Sequence, residues 1–342
     1  MLRKCVGVDL GTANTVFVVG GTTVILDQPS VVALHTSKGV TKVLAVGETA
    51  RPMLGKAPQS IEVFTPLREG VIANFDVAEK MIDAFFKIAV PSSRFLKPSV
   101  VVCTPYGATA VERRAIRQAF LAAGAKKVGL IDEPMAAAIG AKLPVSSPKG
   151  SMVVDIGGGT TGIAIISLGG IVCASSIRLG GNFFDKVIVD TVRRNLEFII
   201  GASTAERIKF EVVSADEDLD EKSEGFQSLE VNGLSGRSLK PGTITVNTGH
   251  FSSAMSALTG SIELEIRRVL EKAPPDLAAD VYTGGITMTG GGSLLRDLPS
   301  ALSKRLGLEV TVAGSPKYSV AYGTGLAAQM EEQFVNCIQY DP

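Results

Sequence analysis

The 342-residue sequence has no tryptophan, only two histidines and only four cysteines. The cysteines form no CxxC pair, and three of them, Cys5, Cys103 and Cys173, lie in apolar segments typical of strands. This pattern predicts reduced, buried thiols in a cytosolic protein rather than a disulfide framework. The scarcity of histidine (His35 and His250) excludes a metal site built on imidazole ligands.

The sequence also has no excess of either charge and no long hydrophobic run. Its 34 basic residues balance its 34 acidic ones, so the chain lacks the basic surplus that nucleic acid requires of a main partner. A neutral chain also permits self-association. No apolar run approaches the ~20 residues of a spanning helix, and residues 1–4 lead straight into an apolar strand. We therefore expect neither a signal peptide nor a transmembrane segment.

What the sequence does have is one short pattern written twice. Residues 9–15 read DLGTANT and residues 155–161 read DIGGGTT. In each, an Asp ends an apolar run, a Gly follows two residues later and a Thr six residues later. A second apolar run follows each segment, which indicates strand, tight polar turn and strand in both places.

These two turns have the residues of a phosphate site. Glycine and small hydroxyl residues let backbone N–H groups approach a phosphate closely. An Asp at the end of a strand supplies an anionic oxygen for a hydrated Mg²⁺. We therefore predict Asp9 and Asp155 as the Mg²⁺-water ligands, and two facing turns that clamp a nucleoside triphosphate. The phosphate-binding residues would be Gly11, Thr12, Ala13, Asn14, Gly157, Gly158, Gly159 and Thr160.

The rest of the chain reads as two quasi-repeats. Strands at 5–8, 16–19 and 23–26 are matched by strands at 152–155, 163–168 and 171–177, and each set precedes alternating helices and strands. This order predicts two α/β domains with mixed sheets flanked by helices and a cleft between them. In the second half the pattern predicts helices at 183–199, 203–212, 252–270 and 294–306, and turns across 233–242.

Several further motifs occur along nearly the whole chain in a fixed order. They are Pro29 to Ala33, Gly70 to Ala73, Ala108 to Arg114, Leu130 to Gly140, Ala205 to Lys209 and Thr289 to Gly292. Together with the two turns, they resemble the actin–Hsp70–sugar kinase superfamily, and more specifically the bacterial actins of the MreB type.

The resemblance implies an actin-like α/β fold of four subdomains around an ATP cleft. We expect subdomain IA at 1–30, 66–143 and 316–342, IB at 31–65, IIA at 144–178 and 242–315, and IIB at 179–241. It also implies ATP or ADP with Mg²⁺ as cofactors, and membrane-associated filaments, expected to be antiparallel and double. Such filaments guide cell-wall synthesis and rod shape. The implied partners are other copies of the chain, the inner face of the cytoplasmic membrane and membrane proteins of cell-wall elongation.

Glu133 is the candidate catalytic base. It follows an apolar strand and precedes Pro134, at the strand edge where α/β sheets bind ligands. A carboxylate there can orient or deprotonate water for attack on the γ-phosphorus, or can serve only as a favourable charge at a helix N-terminus. The resemblance implies that Glu133 and Thr160 position the catalytic water of a slow ATPase.

Three further sets of site residues depend on the resemblance. It makes Glu206 and Lys209 ribose and adenine contacts, although their i,i+3 spacing taken alone predicts a surface ion pair. It places the adenosine against Gly290, Gly291 and Gly292. It also matches Phe95 and Leu96, between Arg94 and Lys97, to a loop that inserts into anionic membranes, although these two side chains could equally pack beneath the loop.

Two positions depart from the family pattern. Gly162 stands where the family usually has an acidic residue, which removes a carboxylate near the phosphates. Asn182 stands where Asp is common. ATP binding is therefore a firmer expectation than ATP hydrolysis.

Other functions also fit part of the pattern. A bacterial actin that positions plasmids or organelles would share the ATP site and the filament. A small-molecule kinase or phosphatase of the superfamily needs a second acceptor site, and the sequence has no such constellation. A chaperone would need a peptide-binding domain beyond residue 342.

Overall fold

The computed structural model describes residues 5–37, 39–68, 70–91, 97–216 and 218–340. These residues form nineteen strands: β1 Cys5–Leu10, β2 Asn14–Val19, β3 Thr23–Pro29, β4 Val32–Ser37, β5 Val40–Val46, β6 Ile61–Phe64, β7 Leu67–Arg68, β8 Val71–Ile72, β9 Ser99–Thr104, β10 Lys127–Asp132, β11 Ser151–Ile156, β12 Thr161–Ser167, β13 Gly170–Ile177, β14 Phe198–Ile199, β15 Ser228–Ser235, β16 Pro241–Asn247, β17 Ile286–Thr289, β18 Val310–Val312 and β19 Ile338–Gln339. They also form nine α-helices: α1 Phe75–Ala89, α2 Ala110–Ala122, α3 Glu133–Gly140, α4 Gly181–Asn195, α5 Ala202–Glu211, α6 Ser252–Lys272, α7 Pro275–Gly284, α8 Leu298–Leu306 and α9 Ser319–Gln329.

Two mixed sheets repeat one topology, which confirms the predicted duplication. The first has the order β19-β10-β9-β1-β2-β3 and the second has the order β13-β12-β11-β17-β18. In each, an antiparallel meander of three strands is extended by two parallel strands. The first sheet differs only by β19, which pairs antiparallel with β10.

Each sheet has its own core, and a third core joins them. Phe17, Phe86 and Phe120 lie with their ring centroids 6.3 Å apart in the core of the first half. Val101 and Ile131 of the first sheet share the third core with Val153 of the second and with apolar residues of α3 and α9. Both helices therefore lie between the sheets and hold the two halves together.

Two smaller sheets are inserted into these repeats. The order β5-β4-β6 forms one, and the order β14-β15-β16 forms the other. The short helix Arg51–Met53 lies between β5 and β6. No helix of the described residues is long and apolar enough to cross a membrane.

Three element predictions are wrong. The helix predicted over 183–199 ends at Asn195, and 198–199 form β14 instead. The turn predicted across 233–242 is confined to 236–240, because 233–235 and 241–242 belong to β15 and β16, whose side chains are mostly exposed and so carry little apolar signal. The helix predicted to start at 294 begins at Leu298, because Asp297 has a left-handed φ of 63° and Pro299 occupies its first turn.

Candidate nucleotide site

One cleft of about 470 Å³ collects the predicted site residues. It lies where the turns of the two sheets meet. The residues that line it include every predicted phosphate, metal, catalytic and adenosine residue: Asp9, Gly11, Thr12, Ala13, Asn14, Glu133, Asp155, Gly157, Gly158, Gly159, Thr160, Glu206, Lys209, Gly290, Gly291 and Gly292. Of the predicted site residues, only Phe95 and Leu96 of the membrane loop lie outside the described residues.

The first turn connects β1 to β2 and is held from behind by Ser30. The Gly11 N–H donates to the Asn14 carbonyl at 3.1 Å and closes the turn. The Ser30 side chain donates to the Gly11 carbonyl at 2.6 Å, and its N–H donates to the Ala13 carbonyl at 2.9 Å. Ser30 is fully buried, so it serves the turn and not solvent.

The second turn repeats this closure between β11 and β12. The Gly157 N–H donates to the Thr160 carbonyl at 2.9 Å. Here the N-terminus of α4 takes the place of Ser30, because the N–H groups of Gly181 and Asn182 donate to the carbonyls of Gly157 and Gly158 at 2.9 and 2.8 Å. The start of a helix has free N–H groups, and these are satisfied by the turn.

Two carbonyls of each turn are therefore occupied from behind, those of Gly11 and Ala13 and those of Gly157 and Gly158, while several amides are not. Among the described residues, no acceptor takes a hydrogen bond from the N–H groups of Thr12, Ala13, Gly158 or Gly159. A β-carbon added to Gly158 would lie 2.6 Å from the Ala13 β-carbon, so the two turns are in direct contact. Free amides from two adjoining turns make a concavity that suits an anion.

Asp9 and Asp155 occupy equivalent positions behind these turns. Asp9 pairs with Val16 in the β1–β2 ladder, and Asp155 pairs with Gly162 in the β11–β12 ladder. The Cys103 thiol donates to Asp9 Oδ1 at 3.3 Å, and the Thr289 hydroxyl donates to Asp155 Oδ1 at 2.6 Å. Each carboxylate thus has one oxygen anchored and a second left for a ligand.

Three acidic side chains of the cleft, Asp9, Asp155 and Glu133, hold their protons more tightly than usual. Burial raises the pKa of Asp9 to about 7, with a further contribution from the charge of Asp155, although the Cys103 hydrogen bond lowers it. Burial raises the pKa of Asp155 to about 6, against the Thr289 hydrogen bond. Burial, then the charges of Asp155 and Asp9, raises the pKa of Glu133 well above its usual range.

This cluster fits a hydrated divalent cation. No group of three or more His, Cys, Asp or Glu side chains in the described residues could enclose a metal. Mg²⁺ keeps several waters and often takes only one or two carboxylates together with phosphate oxygens. Asp9 and Asp155 match that requirement, and a cation would relieve the charge that raises the pKa of Glu133.

Glu206 and Lys209 do not pair with each other, so the ion pair expected from their spacing alone is wrong. Glu206 accepts from Arg51 at 2.6 Å, and Lys209 lies 2.8 Å from Asp185. Both remain in the lining of the cleft because α5 presents them on its cleft side. Glu206 and Lys209 each pair instead with a residue that is distant in sequence.

Gly290 to Gly292 form the floor next to Asp155. Gly290 has a positive φ of 79°, and a β-carbon there would overlap the Ile156 carbonyl. A β-carbon on Gly291 would meet nothing within 4 Å, so that residue faces open space. The segment therefore offers bare backbone to a ligand.

Gly162 lies in β12 and not in the turn. A β-carbon there would meet only the Pro134 ring, at 3.7 Å. Since residues paired across strands point to the same face, a side chain at 162 would lie beside Asp155 and the start of α3. The sequence departure therefore adjoins Glu133 and Asp155.

Several residues of this site were not identified from the sequence. Ser30 and Thr289 hold the first turn and Asp155, and Arg51 binds Glu206. The Pro29-Ser30 and Thr289-Gly290 motifs mark two of these positions but do not state what they contact. Nothing in the sequence indicates that Arg51 meets a residue 155 positions away.

Comparisons with known proteins agree with this geometry. Residues 3–336 match a protein family that is described as "MreB/Mbl protein". The chain belongs to the MreB/Mbl family.

Individual relatives of this family match along the whole chain. The cell shape-determining protein MreB of Escherichia coli K12 is 47% identical over 334 residues, which cover 96% of this chain and 94% of that protein. The structure of MreB 5 of Spiroplasma citri bound to AMPPNP has a TM-score of 0.88 at 30% identity, over 98% of this chain and 99% of that one. The MamK double helical filament, with a TM-score of 0.78 at 22% identity, shares the fold. The chain therefore has the actin-like fold.

Proposed function

We propose that this protein is an ATP-binding bacterial actin that hydrolyses ATP slowly and polymerises into filaments. One observation carries the proposal. Two turns with the same closure and register face one cleft, each with two carbonyls occupied from behind and two amides left free. A chain of phosphates placed between them would accept hydrogen bonds from both halves of the molecule at once. ADP would be held by the same turns after hydrolysis.

The remaining cleft residues have roles consistent with a nucleotide. Asp9 and Asp155 would hold Mg²⁺ through its waters, and the metal would neutralise charge on the phosphates. Glu206 and Lys209 would contact the ribose and the base, and Gly290 to Gly292 would lie against the adenosine. The S. citri relative holds AMPPNP, which supports the same ligand class for this chain.

Glu133 and Thr160 are the proposed catalytic pair. Glu133 occupies the first turn of α3 and reaches the cleft, next to both aspartates. As a carboxylate it would accept a proton from the attacking water, while the Thr160 hydroxyl would help to orient that water.

The cellular role follows from the relatives. The E. coli protein is named for determining cell shape, and we infer the same role here, with cell-wall elongation proteins and the inner face of the membrane as partners. The protein would be cytoplasmic and peripheral at the inner membrane. The four expected subdomains would be the units that contact one another along an antiparallel double filament.

Alternative functions are less well supported. Positioning of plasmids or organelles by a filament would use the same ATP site, but the E. coli relative that is 47% identical to this chain is named for determining cell shape. A small-molecule kinase would need an acceptor site opposite the γ-phosphate, and the sequence has no second constellation of that kind.

Sedimentation with electron microscopy tests the proposal. We expect micromolar protein to pellet with Mg·ATP and to show paired filaments, and to remain largely in the supernatant without nucleotide. A protein that binds ATP yet stays in the supernatant across salts and nucleotides would instead be a monomeric relative. Deletion of the gene with measurement of cell width would separate a shape role from a positioning role.

A further inference from the structure

Arg51 reaches across the cleft from the small β5-β4-β6 sheet and its short helix. None of the predicted phosphate-binding residues belongs to this part of the structure. Arg51 lies in the short helix between β5 and β6, and Glu206 lies on α5. The Arg51 guanidinium is 2.6 Å from Glu206 Oε2, and both residues line the cleft. This ion pair therefore joins two walls that are otherwise separate in sequence and in sheet.

Glu206 has no competing cation in this arrangement. Lys209, one turn further along α5, is 2.8 Å from Asp185 and also donates to the Gly181 carbonyl. Glu206 is half-buried in the wall of the cleft, and within the described part of the chain it forms its ion pair with Arg51. Arg51 fixes one carboxylate oxygen and leaves the other for a ligand.

We infer that Arg51 is a positioning residue that holds Glu206 against the ribose and slows release of the nucleotide. The inference depends on the proposed nucleotide function. A nucleotide seated between the turns and Glu206 can leave only when the walls separate, and separation requires the Arg51–Glu206 pair to break. The pair should therefore affect dissociation more than association.

The expected effect is modest and depends on salt. Arg51 and Glu206 have side chains that are 47% and 38% exposed, and exposed ion pairs contribute little and are screened by ions. We therefore expect removal of the pair to accelerate release by about two- to five-fold.

The test measures dissociation of a fluorescent ADP after a chase with unlabelled ADP. Arg51→Gln should release it about two- to five-fold faster than the wild type, with a smaller change in association rate. Arg51→Lys should restore part of the difference. The matched control is Lys56→Gln, which removes an exposed cation of the same unit outside the cleft lining and should release at the wild-type rate. Measurements at two protein concentrations exclude an effect of self-association.

Two readouts separate positioning from a general structural effect. Increasing salt from about 0.05 M to about 0.5 M should accelerate release from the wild type more than from Arg51→Gln. In a Glu206→Gln background, Arg51→Gln should have no further effect, because the residue it acts through is already neutral.

Equal release rates for Arg51→Gln and Lys56→Gln would overturn the inference, as would an undiminished effect of Arg51→Gln in the Glu206→Gln background. Failure of the wild type to bind the fluorescent ADP at all would instead contradict the proposed function.

Discussion

At the scale of single residues, the cleft concentrates negative charge that the ligand-free protein tolerates poorly. Asp9, Asp155 and Glu133 each have a raised pKa, first of all because burial disfavours their charged forms. Such groups reduce stability in exchange for function. Two of them, Asp9 and Asp155, are held by a thiol and a hydroxyl rather than by a cation, which leaves the charge to be neutralised by a ligand.

This charge gives a stability prediction for Asp9→Asn in the ligand-free protein. Folded Asp9 keeps its proton up to about pH 7, whereas an unfolded aspartate releases it near pH ~4. The folded state therefore binds more protons in that window, and stability falls as pH rises through it. We expect Asp9→Asn to raise the free energy of unfolding at pH 8 by at least about 1 kcal/mol, and the gain to vanish near pH ~4.

Urea unfolding at the two pH values measures this gain, and Asp76→Asn on α1 is the control, because it removes an exposed carboxylate outside the cleft. The same Asp9→Asn variant should lose Mg²⁺-dependent nucleotide binding. A variant less stable than the wild type at pH 8 would show that Asp9 has a structural role in the ligand-free state.

Glu133→Gln tests the catalytic assignment. The amide has nearly the same shape but cannot accept a proton, so single-turnover hydrolysis should fall by roughly 10²- to 10⁴-fold. The dissociation constant for ATP should change little. Hydrolysis at the wild-type rate in Glu133→Gln would remove Glu133 from the mechanism.

The two turns that we propose bind phosphate were predictable because each is a local signal. In each turn, Asp, Gly and Thr stand at fixed offsets within seven residues. The residues that hold the first turn, Asp155 and Glu206 in place were not predictable in the same way. Ser30 acts across 19 positions, Thr289 across 134 and Arg51 across 155. Contacts of that span depend on how the sheets pack, and spacing in the sequence does not encode them.

At the scale of elements, the packing of α3 against α9 connects the proposed catalytic residue, Glu133, to the rest of the molecule. Glu133 begins α3, and α9 contacts β1 and β9 as well as α3. The two helices approach so closely that a β-carbon on Gly323 would overlap the Ala136 carbonyl oxygen, and one on Gly140 would overlap that of Ser319. Glycine is required at this crossing because backbone meets backbone.

Gly323→Ala should therefore destabilise the protein by about 1–3 kcal/mol or more, since an extra methyl in a fully packed contact forces the backbone apart. Denaturant unfolding measures the change. The control is Gly284→Ala at the end of α7, where a β-carbon would meet nothing within 4 Å and stability should hardly change. Equal stability of the two variants would mean that α3 and α9 can separate without cost.

Two elements, α9 and the β15–β16 hairpin, are difficult to recognise from the sequence. The α9 segment contains Gly323 and Gly325, which are poor helix formers, so its helix depends on burial against α3. The β15–β16 hairpin is concealed for the opposite reason, because among its residues only Val231 and Val246 are buried. In contrast, the sequence of α1 has a clear helical signal, because Val77, Met81 and Phe85 recur at helical spacing and all three are buried.

At the scale of the whole molecule, the duplicated motif predicted a duplicated fold. Two sheets of the same topology follow from two copies of one strand–turn–strand pattern, each continued by parallel strands. The added strand β19 could not be foreseen, since it is two residues long and pairs with residues of β10 that lie 207 and 209 positions earlier in the chain. The boundaries of the four subdomains stay a prediction.

The proposed association of the protein with the membrane also concerns the whole molecule. Phe95→Ser with Leu96→Ser should abolish co-sedimentation with liposomes containing anionic lipid, because the apolar insertion is lost. The affinity for ATP should be unchanged. Replacing the exposed Ile88 of α1 by Ser controls for loss of a nearby apolar side chain. Continued co-sedimentation of the double variant would show that the membrane is bound elsewhere.

The most direct test of the central claim is an experimental structure determined with Mg²⁺ and AMPPNP. We expect density for the phosphates between the amides of residues 12–14 and 158–160, with the metal beside Asp9 and Asp155 and the ribose at Glu206. Phosphate density that contacts only one of the two turns, or a nucleotide bound outside this cleft, would contradict it.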